Sequence, residues 1–557
     1  MNRLVNRRIR LFLAAIAHTF AGLLMRATWL QTVRAESLSS LGLTQHRESV
    51  TIPAGRGTIF DRSGLELALG ERATTVYANP MQIANPRRAA VAVERTLGVS
   101  ADRIFPTLAD RSHGFVYVAR QADPAQAAAL QRLKLPGFGF YPEERRTYPQ
   151  GSVAAQVLGF VGTDGNGLSG LELQFEKELK GRAGKETVVK DPGGRVIDVQ
   201  GERAEVPGRD LYLTLDHSIQ ANAEEVLRDT VRKWAAKSAS AIVLDPRTGA
   251  ILAMAVQPGY DANRFPSAPI DLQRNRTVTD TYEPGSTFKL VTVAGALSER
   301  IVSPRTRFRL PYSLHVADRI IHDAEKRGIV NYSVAQILAH SSNIGAITLA
   351  EMLGRTRLSS WITRFGFGRT TGVDFPGESP GIVLPPDKWS GSTIGNVPIG
   401  QGIAVTPVQM AAAYAAIANR GVWSRPHLVD HVAGGARPSL NHRRLVSPKI
   451  ARQLMTMLKD VVAEGTGQFA AVPGYQVAGK TGTAQKPDSH GGYATGRYVA
   501  SFVGIVPASR PRFVILVAVD EPRGAIWGGT VAAPAFQQIA RFDLQYLEVP
   551  PDAAPGK

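Results

Sequence analysis

The chain contains no cysteine, which excludes disulfide bonds, thiolate catalysis and cysteine-ligated zinc. Its eleven histidines show no H-E-x-x-H or other metal-ligand spacing, so neither a metal nor a cofactor is predicted. Aromatic residues make up only 7% of the sequence, and no nucleic-acid-binding motif accompanies the net charge of +18. The basic excess therefore favours anionic lipid headgroups and an anionic polymer as partners, rather than nucleic acid.

Long apolar runs are scarce as well, and the single candidate for a membrane-spanning segment lies close to the N-terminus. Residues 11–33 are long enough to span a bilayer, although His18 and Arg26 interrupt them. Four arginines within the first ten residues place the N-terminus in the cytoplasm and the rest of the chain outside it. Strictly apolar sequence ends at Met25 and a signal-peptidase site would fit at 33–35, so a cleaved signal peptide is the alternative to a retained anchor.

Three short motifs occur in a fixed order, and together they indicate acyl-transfer chemistry. They are Ser286-Thr287-Phe288-Lys289, Ser341-Ser342-Asn343 and Lys480-Thr481-Gly482-Thr483. Each is weak alone, since Ser-x-x-Lys is expected about once or twice by chance in a chain of this length. Ser-x-Asn also recurs at Ser439-Leu440-Asn441, in a basic loop that we interpret as surface.

The first motif places a serine and a lysine where a nucleophile and its base are needed. Ser286 follows a Pro-Gly turn, and residues 287–297 predict an apolar helix, so free N–H groups at its start would favour an oxyanion near Ser286. Lys289, three residues on, is expected on the same helix face. Lysine is a base only when neutral, and from a reference pKa of about 10.4 only about one in 2,500 is neutral at pH 7.

The second and third motifs supply groups that could keep Lys289 neutral at pH 7 and complete the site. The pKa of Lys289 has to fall by about 3–4, which burial and a second cation can achieve, and Lys480 is the obvious second cation. Ser341 could relay a proton to the leaving group, and Asn343 could hold a substrate amide. The alternative is that Ser286 merely caps a helix and that Lys289 is solvated.

A nucleotide hydrolase is a competing interpretation of the third motif. Residues 474–481 also satisfy the phosphate-loop pattern, and the apolar segment before Asp520-Glu521 resembles the strand that accompanies such loops. A phosphate loop opens directly into a helix, whereas residues 482–492 carry turn residues without a helical period. We therefore interpret residues 475–485 as an exposed strand, whose Gly479 and Gly482 let a ligand backbone lie close.

With these motifs in place, the chain resembles the penicillin-binding proteins, the serine acyl-transferases of the bacterial wall. The resemblance runs from about Arg56 to about Phe542 and is strongest to the class B, monofunctional transpeptidases of the septal, FtsI-type branch, although the elongation-type branch shares many motifs. Further matching segments are Arg56-Gly57-Thr58-Ile59-Phe60-Asp61-Arg62-Ser63-Gly64, Arg146-Thr147-Tyr148-Pro149, Gly170-Leu171-Glu172, Lys190-Asp191-Pro192-Gly193-Gly194-Arg195, Gly400-Gln401-Gly402-Ile403-Ala404-Val405-Thr406-Pro407 and Gly465-Thr466-Gly467.

The resemblance implies a D,D-transpeptidase that cross-links peptidoglycan stem peptides during septum formation through a Ser286 acyl-enzyme. Backbone N–H groups of Ser286 and Thr483 would form the oxyanion hole, and Lys480, Thr481 and Thr483 would bind the donor carboxylate beside Gly482. β-Lactam antibiotics would trap Ser286 covalently. The other implied partners are the cytoplasmic membrane, a lipid-linked glycan polymerase of the FtsW type and small bitopic division proteins. A β-lactamase, a β-lactam sensor and an inactive scaffold are the remaining alternatives.

The resemblance also implies the fold class and the domains. The fold is expected to be α/β of the α+β kind, with a transpeptidase domain in which helices pack on an antiparallel sheet. A mixed α+β pedestal and one transmembrane helix would precede it. The expected boundaries are 1–10 for a cytoplasmic tail, 11–33 for the anchor, 34–205 for the pedestal beginning with a linker-like stretch to about 50, 206–545 for the transpeptidase domain and 546–557 for a disordered tail.

Overall fold

The structure, a computed structural model, describes residues 2–36, 47–190, 196–437, 439, 441–488 and 491–553. Backbone contacts divide the chain into two units, residues 1–55 with 181–207 and residues 56–180 with 208–557. Within the described residues the strands are β1 Arg47–Ile52, β2 Ile59–Phe60, β3 Glu66–Ala78, β4 Val116–Ala122, β5 Phe138–Thr147, β6 Gly184–Lys190, β7 Val196–Arg203, β8 Leu211–Leu213, β9 Ser238–Leu244, β10 Ile251–Gln257, β11 Arg307–Leu310, β12 Ser313–Val316, β13 Arg319–His322, β14 Val330–Ser333, β15 Val422–Ser424, β16 Val429–Val432, β17 His442–Arg444, β18 Ala478–Pro487, β19 Tyr493–Val506 and β20 Phe513–Asp520.

The helices are more numerous in the second unit. They are α1 Asn2–Thr32, α2 Pro86–Leu97, α3 Ala101–Ala109, α4 Pro124–Arg132, α5 Ala155–Leu158, α6 Gly170–Gln174, α7 Glu176–Leu179, α8 His217–Lys233, α9 Ile270–Gln273, α10 Arg276–Thr279, α11 Lys289–Ser298, α12 Val334–Ala339, α13 Asn343–Leu353, α14 Arg355–Arg364, α15 Thr393–Asn396, α16 Pro407–Ala418, α17 Pro448–Ala463, α18 Gly528–Val531 and α19 Ala533–Tyr546. Short 3₁₀ turns occupy Pro80–Gln82, Ala262–Ser267, Gly285–Phe288, Pro386–Lys388, Val397–Ile399 and Gln468–Ala470.

The first unit consists of helix α1 and a small antiparallel sheet. Among the described residues, Val5–Thr32 is the one helical segment long and apolar enough to cross a membrane. His18 within this segment has a local partner, since its Nδ1 lies 2.8 Å from the carbonyl oxygen of Ala14. The sheet has the order β1-β6-β7. The expectation of a linker as far as residue 50 is wrong for the described part, because β1 starts at Arg47 and pairs with β6.

The second unit contains a five-stranded antiparallel sheet of order β10-β9-β20-β19-β18, as the resemblance implies. Alternate residues of these strands face two apolar cores. One core joins the sheet to α11 and α16, and the other joins it to α8 and α19. Asp216 caps α8, since its side chain accepts the N–H groups of Ser218 and Ile219. Strands β9 and β10 form an antiparallel hairpin after this helix.

A second, six-stranded sheet connects the region before residue 180 to the region after residue 208. Its order is β16-β8-β2-β3-β4, with β5 paired to β3, and β2 runs parallel to β8. Helices α2, α3 and α4 form a separate apolar core with β3 and β4. Of the tail expected to be disordered, residues 554–557 lie outside the described residues. The described part includes Asp552, whose carboxylate accepts the N–H groups of Gln476 and Ser509.

Candidate active site

The turn that carries Ser286 differs from the predicted helix start. Residues Gly285–Phe288 form a 3₁₀ turn, and the α-helix begins only at Lys289. Ser286 is therefore not a helix cap, and within the described part of the chain its hydroxyl makes no hydrogen bond. Its side chain remains partly exposed while the residues on either side of it are buried. This leaves the hydroxyl available to a reactant on a rigid support.

The backbone around Ser286 is held close to two neighbouring segments. Gly285 has φ +54°, in the left-handed region that favours glycine, and a Cβ there would lie 2.9 Å from the carbonyl oxygen of Thr483. Its N–H donates to the carbonyl oxygen of Gly400, 3.0 Å away. The predicted Gly400-Gln401-Gly402 segment and the β18 strand thus fix the turn from two sides.

Ser341 occupies the junction between helices α12 and α13. Its φ of +58° is left-handed, and the N–H groups of Ser341 and Ser342 donate to the carbonyl oxygens of Leu338 and Ile337. This is the Schellman arrangement of a helix C-terminus, in which glycine is the usual occupant of the left-handed position. Ser342 then caps α13 by accepting the Gly345 N–H. The Ser-Ser-Asn motif therefore ends one helix and starts the next.

The amine of Lys289 contacts the second motif rather than Ser286. Its Nζ donates to the Ser341 carbonyl oxygen at 2.5 Å, to Asn343 Oδ1 at 2.7 Å and to the Ser341 hydroxyl at 3.3 Å. The prediction that Lys289 and Asn343 belong to one site agrees with these distances. Among the described residues Lys289 makes no hydrogen bond to Ser286, and its amine has three other oxygen partners.

The third motif lies on the other side of the Ser341 hydroxyl. Lys480 Nζ lies 2.9 Å from Ser341 Oγ and 3.2 Å from Thr481 Oγ1. Lys480 stands in β18 and no helix follows it, so the strand interpretation of this segment is confirmed and the phosphate-loop geometry is absent from the described residues 474–488. The expected exposure of the strand is wrong, because residues 478–482 are buried. Both lysine side chains are fully buried. The Ser341 hydroxyl therefore bridges two buried amines.

Burial controls the protonation of both lysines. It lowers the pKa of Lys289 to about 7, and the Asp323 carboxylate opposes this decrease. Burial also lowers the pKa of Lys480 well below its usual value, and the charge of Lys289 adds to that effect. Lys289 can thus be neutral near pH 7, as a base must be. Of the two predicted causes, burial is the one that lowers this pKa, whereas the charge of Lys480 is not among its causes and the Lys289 charge instead lowers the pKa of Lys480.

Asp323 is a site residue that the sequence analysis missed. It is 8% exposed, and its carboxylate accepts the N–H groups of Asn343 and Ile344 and the Ser342 hydroxyl. It also pairs with Arg327. A carboxylate at the first turn of a helix is stabilised by free N–H groups. Asp323 therefore anchors the start of α13, and with it Asn343 and Ser341.

Glu283 is a second unpredicted contributor. It is 9% exposed, and its Oε1 accepts the Gly402 N–H at 2.8 Å and the Tyr493 hydroxyl at 3.3 Å. Its other oxygen, Oε2, has no hydrogen-bond partner among the described residues. It borders a cavity of about 140 Å³ between the sheet and the loop before Ser286. Burial raises the pKa of Glu283.

Strand β18 offers a peptide-binding edge beside Ser286. It is the outermost strand of its sheet, so one side of its backbone is not paired with another strand. Thr481 Oγ1 lies 2.7 Å from Thr466 Oγ1, and Thr483 Oγ1 accepts the Gly528 N–H. Gly482 packs so tightly that a Cβ would lie 2.4 Å from Ser501 Oγ. The described residues contain no acid or histidine cluster that could hold a metal.

Other predicted residues lie away from this constellation or outside the described residues. Ser439 is exposed, which agrees with the surface interpretation of its motif, whereas Leu440 is not described. His340, next to Ser341, stacks on the Tyr332 ring with a centroid distance of 4.9 Å. Residues 191–195, from one of the matching segments, also lie outside the described residues.

Comparison with known proteins identifies this arrangement. The family model described as the penicillin binding protein transpeptidase domain matches residues 239–541, and the model described as the penicillin-binding protein dimerisation domain matches residues 51–213. The chain belongs to the penicillin-binding protein transpeptidase family. The predicted membership of class B, with its separate dimerisation-type domain, is confirmed by these two matches and by FtsI-type relatives.

The relatives cover almost the whole chain. Peptidoglycan D,D-transpeptidase FtsI of Escherichia coli (strain K12) is 33% identical over 99% of this chain and 93% of its own length. Stage V sporulation protein D of Bacillus subtilis (strain 168) is 34% identical over 94% of this chain and 83% of its own. Among solved structures, penicillin binding protein 3 from Mycobacterium tuberculosis, complexed with aztreonam, is 31% identical with a TM-score of 0.71, covering 90% of this chain and 98% of that one. The predicted fold class is thereby confirmed.

Proposed function

We propose that this protein is a peptidoglycan D,D-transpeptidase that works through a Ser286 acyl-enzyme. The observation that carries this proposal is the position of the Ser341 hydroxyl, 2.9 Å from the Lys480 amine and 3.3 Å from the Lys289 amine. Family membership and FtsI-type relatives support the same reaction. Lys289, with a pKa lowered to about 7, supplies the base that a serine nucleophile requires.

Acylation follows from these positions. The Ser286 oxygen attacks the carbonyl carbon of the penultimate D-Ala of a donor stem peptide, and its proton passes to neutral Lys289. The carbonyl oxygen becomes an oxyanion that the N–H groups of Ser286 and Thr483 would stabilise. The bond to the terminal D-Ala nitrogen then breaks. That nitrogen takes a proton through the Ser341 hydroxyl, leaving an ester on Ser286 and free D-Ala.

Transfer to the acceptor reverses the proton movements. An amine on a neighbouring stem peptide attacks the ester carbon and passes a proton to Lys289. The ester bond to Ser286 breaks as the new amide forms, and the Ser286 oxygen regains a proton. No metal or cofactor takes part in this balance, because every proton moves between the substrates and the three motifs.

The donor would bind along β18. The open backbone edge of this strand can pair with an extended peptide, while Thr481 and Thr483 provide hydroxyls for the terminal carboxylate. A bound carboxylate would favour the protonated form of Lys480, and that charge would keep Lys289 neutral. Asn343 would hold the donor amide, and Gly482 would let the turn before Ser286 pack against the strand, since a Cβ there would lie 2.9 Å from the Pro284 carbonyl oxygen.

Location and partners follow from the same proposal. Helix α1, with its preceding arginines, would be retained as a single anchor with a cytoplasmic N-terminus, so that residues 34–205 form a pedestal and residues 206–545 the extracytoplasmic or periplasmic catalytic domain. Relatives named FtsI favour a septal role and, with it, a lipid-linked glycan polymerase of the FtsW type and bitopic division proteins as partners. β-Lactams would bind covalently at Ser286, as the complexes of the structural relatives suggest.

The first test is labelling with a fluorescent penicillin over one hour, with Ser286→Ala and Ser439→Ala as a matched pair of serine variants. Stable label on the wild type and on Ser439→Ala, and none on folded Ser286→Ala, is the expected result. Label that turns over rapidly would assign the protein to the β-lactamases instead. Label that persists on Ser286→Ala would remove Ser286 as the nucleophile.

The substrate and the septal role need separate measurements. Incubation with uncross-linked glycan strands that carry stem peptides should release D-Ala and produce cross-linked dimers, both detectable by mass spectrometry. A fluorescent fusion in dividing cells should concentrate at midcell. A fusion spread along the lateral wall would instead favour an elongation-type role, with the transpeptidase reaction unchanged.

A further inference from the structure

An open groove separate from the three motifs is lined only by arginine and hydroxyl side chains. Its volume is about 500 Å³. We name it the arginine groove and define it by its lining residues, which are Thr356, Ser359, Ser360, Thr363 and Arg364 of helix α14, together with Arg369 and Arg443. None of these residues takes part in the proposed transpeptidase reaction.

Helix α14 presents the hydroxyls as one stripe. Thr356, Ser360 and Thr363 recur at spacings of four and three residues, which places them on one helix face. The opposite face, with Leu358, Trp361 and Ile362, is buried in the core. The simplest explanation of such a stripe is a solvent-exposed helix surface, and the hydroxyl groups alone are consistent with that explanation.

The arginines distinguish the groove from an ordinary solvated surface. Within the described residues, none of Arg364, Arg369 and Arg443 forms an ion pair with an acidic side chain. Burial, together with the charges of Arg364 and Arg369, lowers the pKa of Arg443, so the Arg443 guanidinium is close enough to each of the other two to be repelled by it. All three side chains are exposed, so solvent screens part of their repulsion, and a bound anion would reduce it further.

Two of these cations are held in place despite the repulsion. The Arg364 guanidinium lies 5.1 Å from the centre of the Trp361 ring, and its Nε donates to the Leu445 carbonyl oxygen at 2.7 Å. The Arg443 guanidinium lies 5.3 Å from the centre of the Trp423 ring. Stacking on aromatic rings preorganises both groups and leaves N–H donors available.

We propose that the arginine groove binds a phosphate group of an anionic ligand. Guanidinium groups bind phosphate oxygens through paired N–H donors, and serine and threonine hydroxyls add further donors to the same oxygens. The groove volume is large enough for a diphosphate or for a phosphate within a larger molecule. This assignment goes beyond the proposed transpeptidase function and does not depend on it.

Arg369 is the most suitable groove residue to test by substitution. Its side chain makes no hydrogen bond or ion pair among the described residues, so Arg369→Gln removes one groove charge without removing a structural contact. Arg305→Gln is the matched control, since Arg305 is an exposed arginine that does not line the groove. Stable labelling of both variants by fluorescent penicillin would verify that each is folded.

The experiment is isothermal titration of the full chain in neutral detergent micelles with sodium diphosphate, at about 0.15 M ionic strength so that weak surface attraction is screened. Wild type and Arg305→Gln should bind with equal Kd, and Arg369→Gln should bind at least tenfold more weakly. Absence of binding to the wild type, equal binding by Arg369→Gln, or equally tight binding of citrate would each overturn the phosphate assignment.

A competition experiment identifies the class of molecule that carries the phosphate group. Micelles that contain phosphatidylglycerol are added to the wild type already loaded with diphosphate. Displacement of diphosphate would indicate a lipid headgroup as the natural ligand. Retention of diphosphate would indicate a soluble phosphate-bearing molecule or polymer, and both results are compatible with the proposed chemistry.

Discussion

The amine of Lys480 lies 2.9 Å from the hydroxyl oxygen of Ser341, although 139 positions separate the two residues in the chain. The contact joins the edge strand of the sheet to the junction between two helices. Since Lys289 reaches the same hydroxyl from the other side, protonation of one amine influences the other through a single hydroxyl group. The following predictions concern the groups around this contact.

Acylation should depend on pH through Lys289. Its pKa is lowered to about 7, and only the neutral amine can accept the Ser286 proton. The rate of labelling by fluorescent penicillin should therefore rise roughly tenfold per pH unit below about pH 7 and level off above it. Rates measured from pH 5.5 to 8.5, with circular dichroism confirming the fold throughout, check this. A flat profile would contradict the assignment of Lys289 as the base.

Asp323→Asn should affect both stability and the pH profile. The carboxylate accepts two backbone N–H groups of α13, so the free energy of unfolding should fall by about 1–3 kcal/mol. The Asp323 charge also raises the pKa of Lys289, so its removal should shift the inflection of the acylation profile to lower pH. Urea unfolding and the pH–rate profile measure the two effects. Asp318→Asn, on an exposed residue nearby, should change neither.

Ser341→Gly and Ser341→Ala should separate the hydroxyl from the backbone. Both variants lose the proton relay, and labelling should slow by about 10²–10⁴ in each. Glycine adopts the left-handed conformation without strain, whereas alanine does not, so Ser341→Gly should be more stable than Ser341→Ala by about 1 kcal/mol. Equal unfolding midpoints would argue against the Schellman geometry, and unchanged labelling would argue against the relay.

Gly285→Ala should lower the rate of acylation strongly, whereas its effect on the free energy of unfolding should be smaller. The added Cβ would lie 2.9 Å from the Thr483 carbonyl oxygen, so the Ser286 turn and β18 would have to separate. A small displacement of reacting groups can cost about tenfold to 10²-fold in rate. Gly524→Ala is the matched control, because Gly524 also has a left-handed φ but no atom within 4 Å of the added Cβ. Gly524→Ala should lower the stability of the fold and leave the rate of acylation unchanged.

Much of the site could be predicted from the sequence because its motifs are short and local. The order of the three motifs predicted a site of Ser286, Lys289, Ser341 and Lys480, and the structure places the two lysine amines within hydrogen-bond distance of the Ser341 hydroxyl. Asp323 was missed because it follows a hairpin strand with no motif of its own and meets α13 only through tertiary packing. Glu283 was seen only as part of a turn, since its partners Gly402 and Tyr493 are more than a hundred residues away.

Local geometry was also harder to predict than residue identity. Apolar periodicity does not distinguish a 3₁₀ turn from the first turn of an α-helix, and Gly285–Phe288 forms a 3₁₀ turn. The strand at Arg47 could not be predicted from its polar composition, because it depends on pairing with β6. The left-handed position that follows α12 is occupied by Ser341, so no glycine marks the end of this helix in the sequence.

The parallel pairing of β2 with β8 has a consequence for the folding of the chain. Strands contributed before residue 180 and after residue 208 complete one another's hydrogen bonds, so neither part of this sheet has all its partners without the other. A fragment that started at residue 206 would present the backbone of β8 as an open template for another copy of itself. The region before residue 180 therefore supplies the strand that shields this edge of β8 from pairing with another copy of the chain.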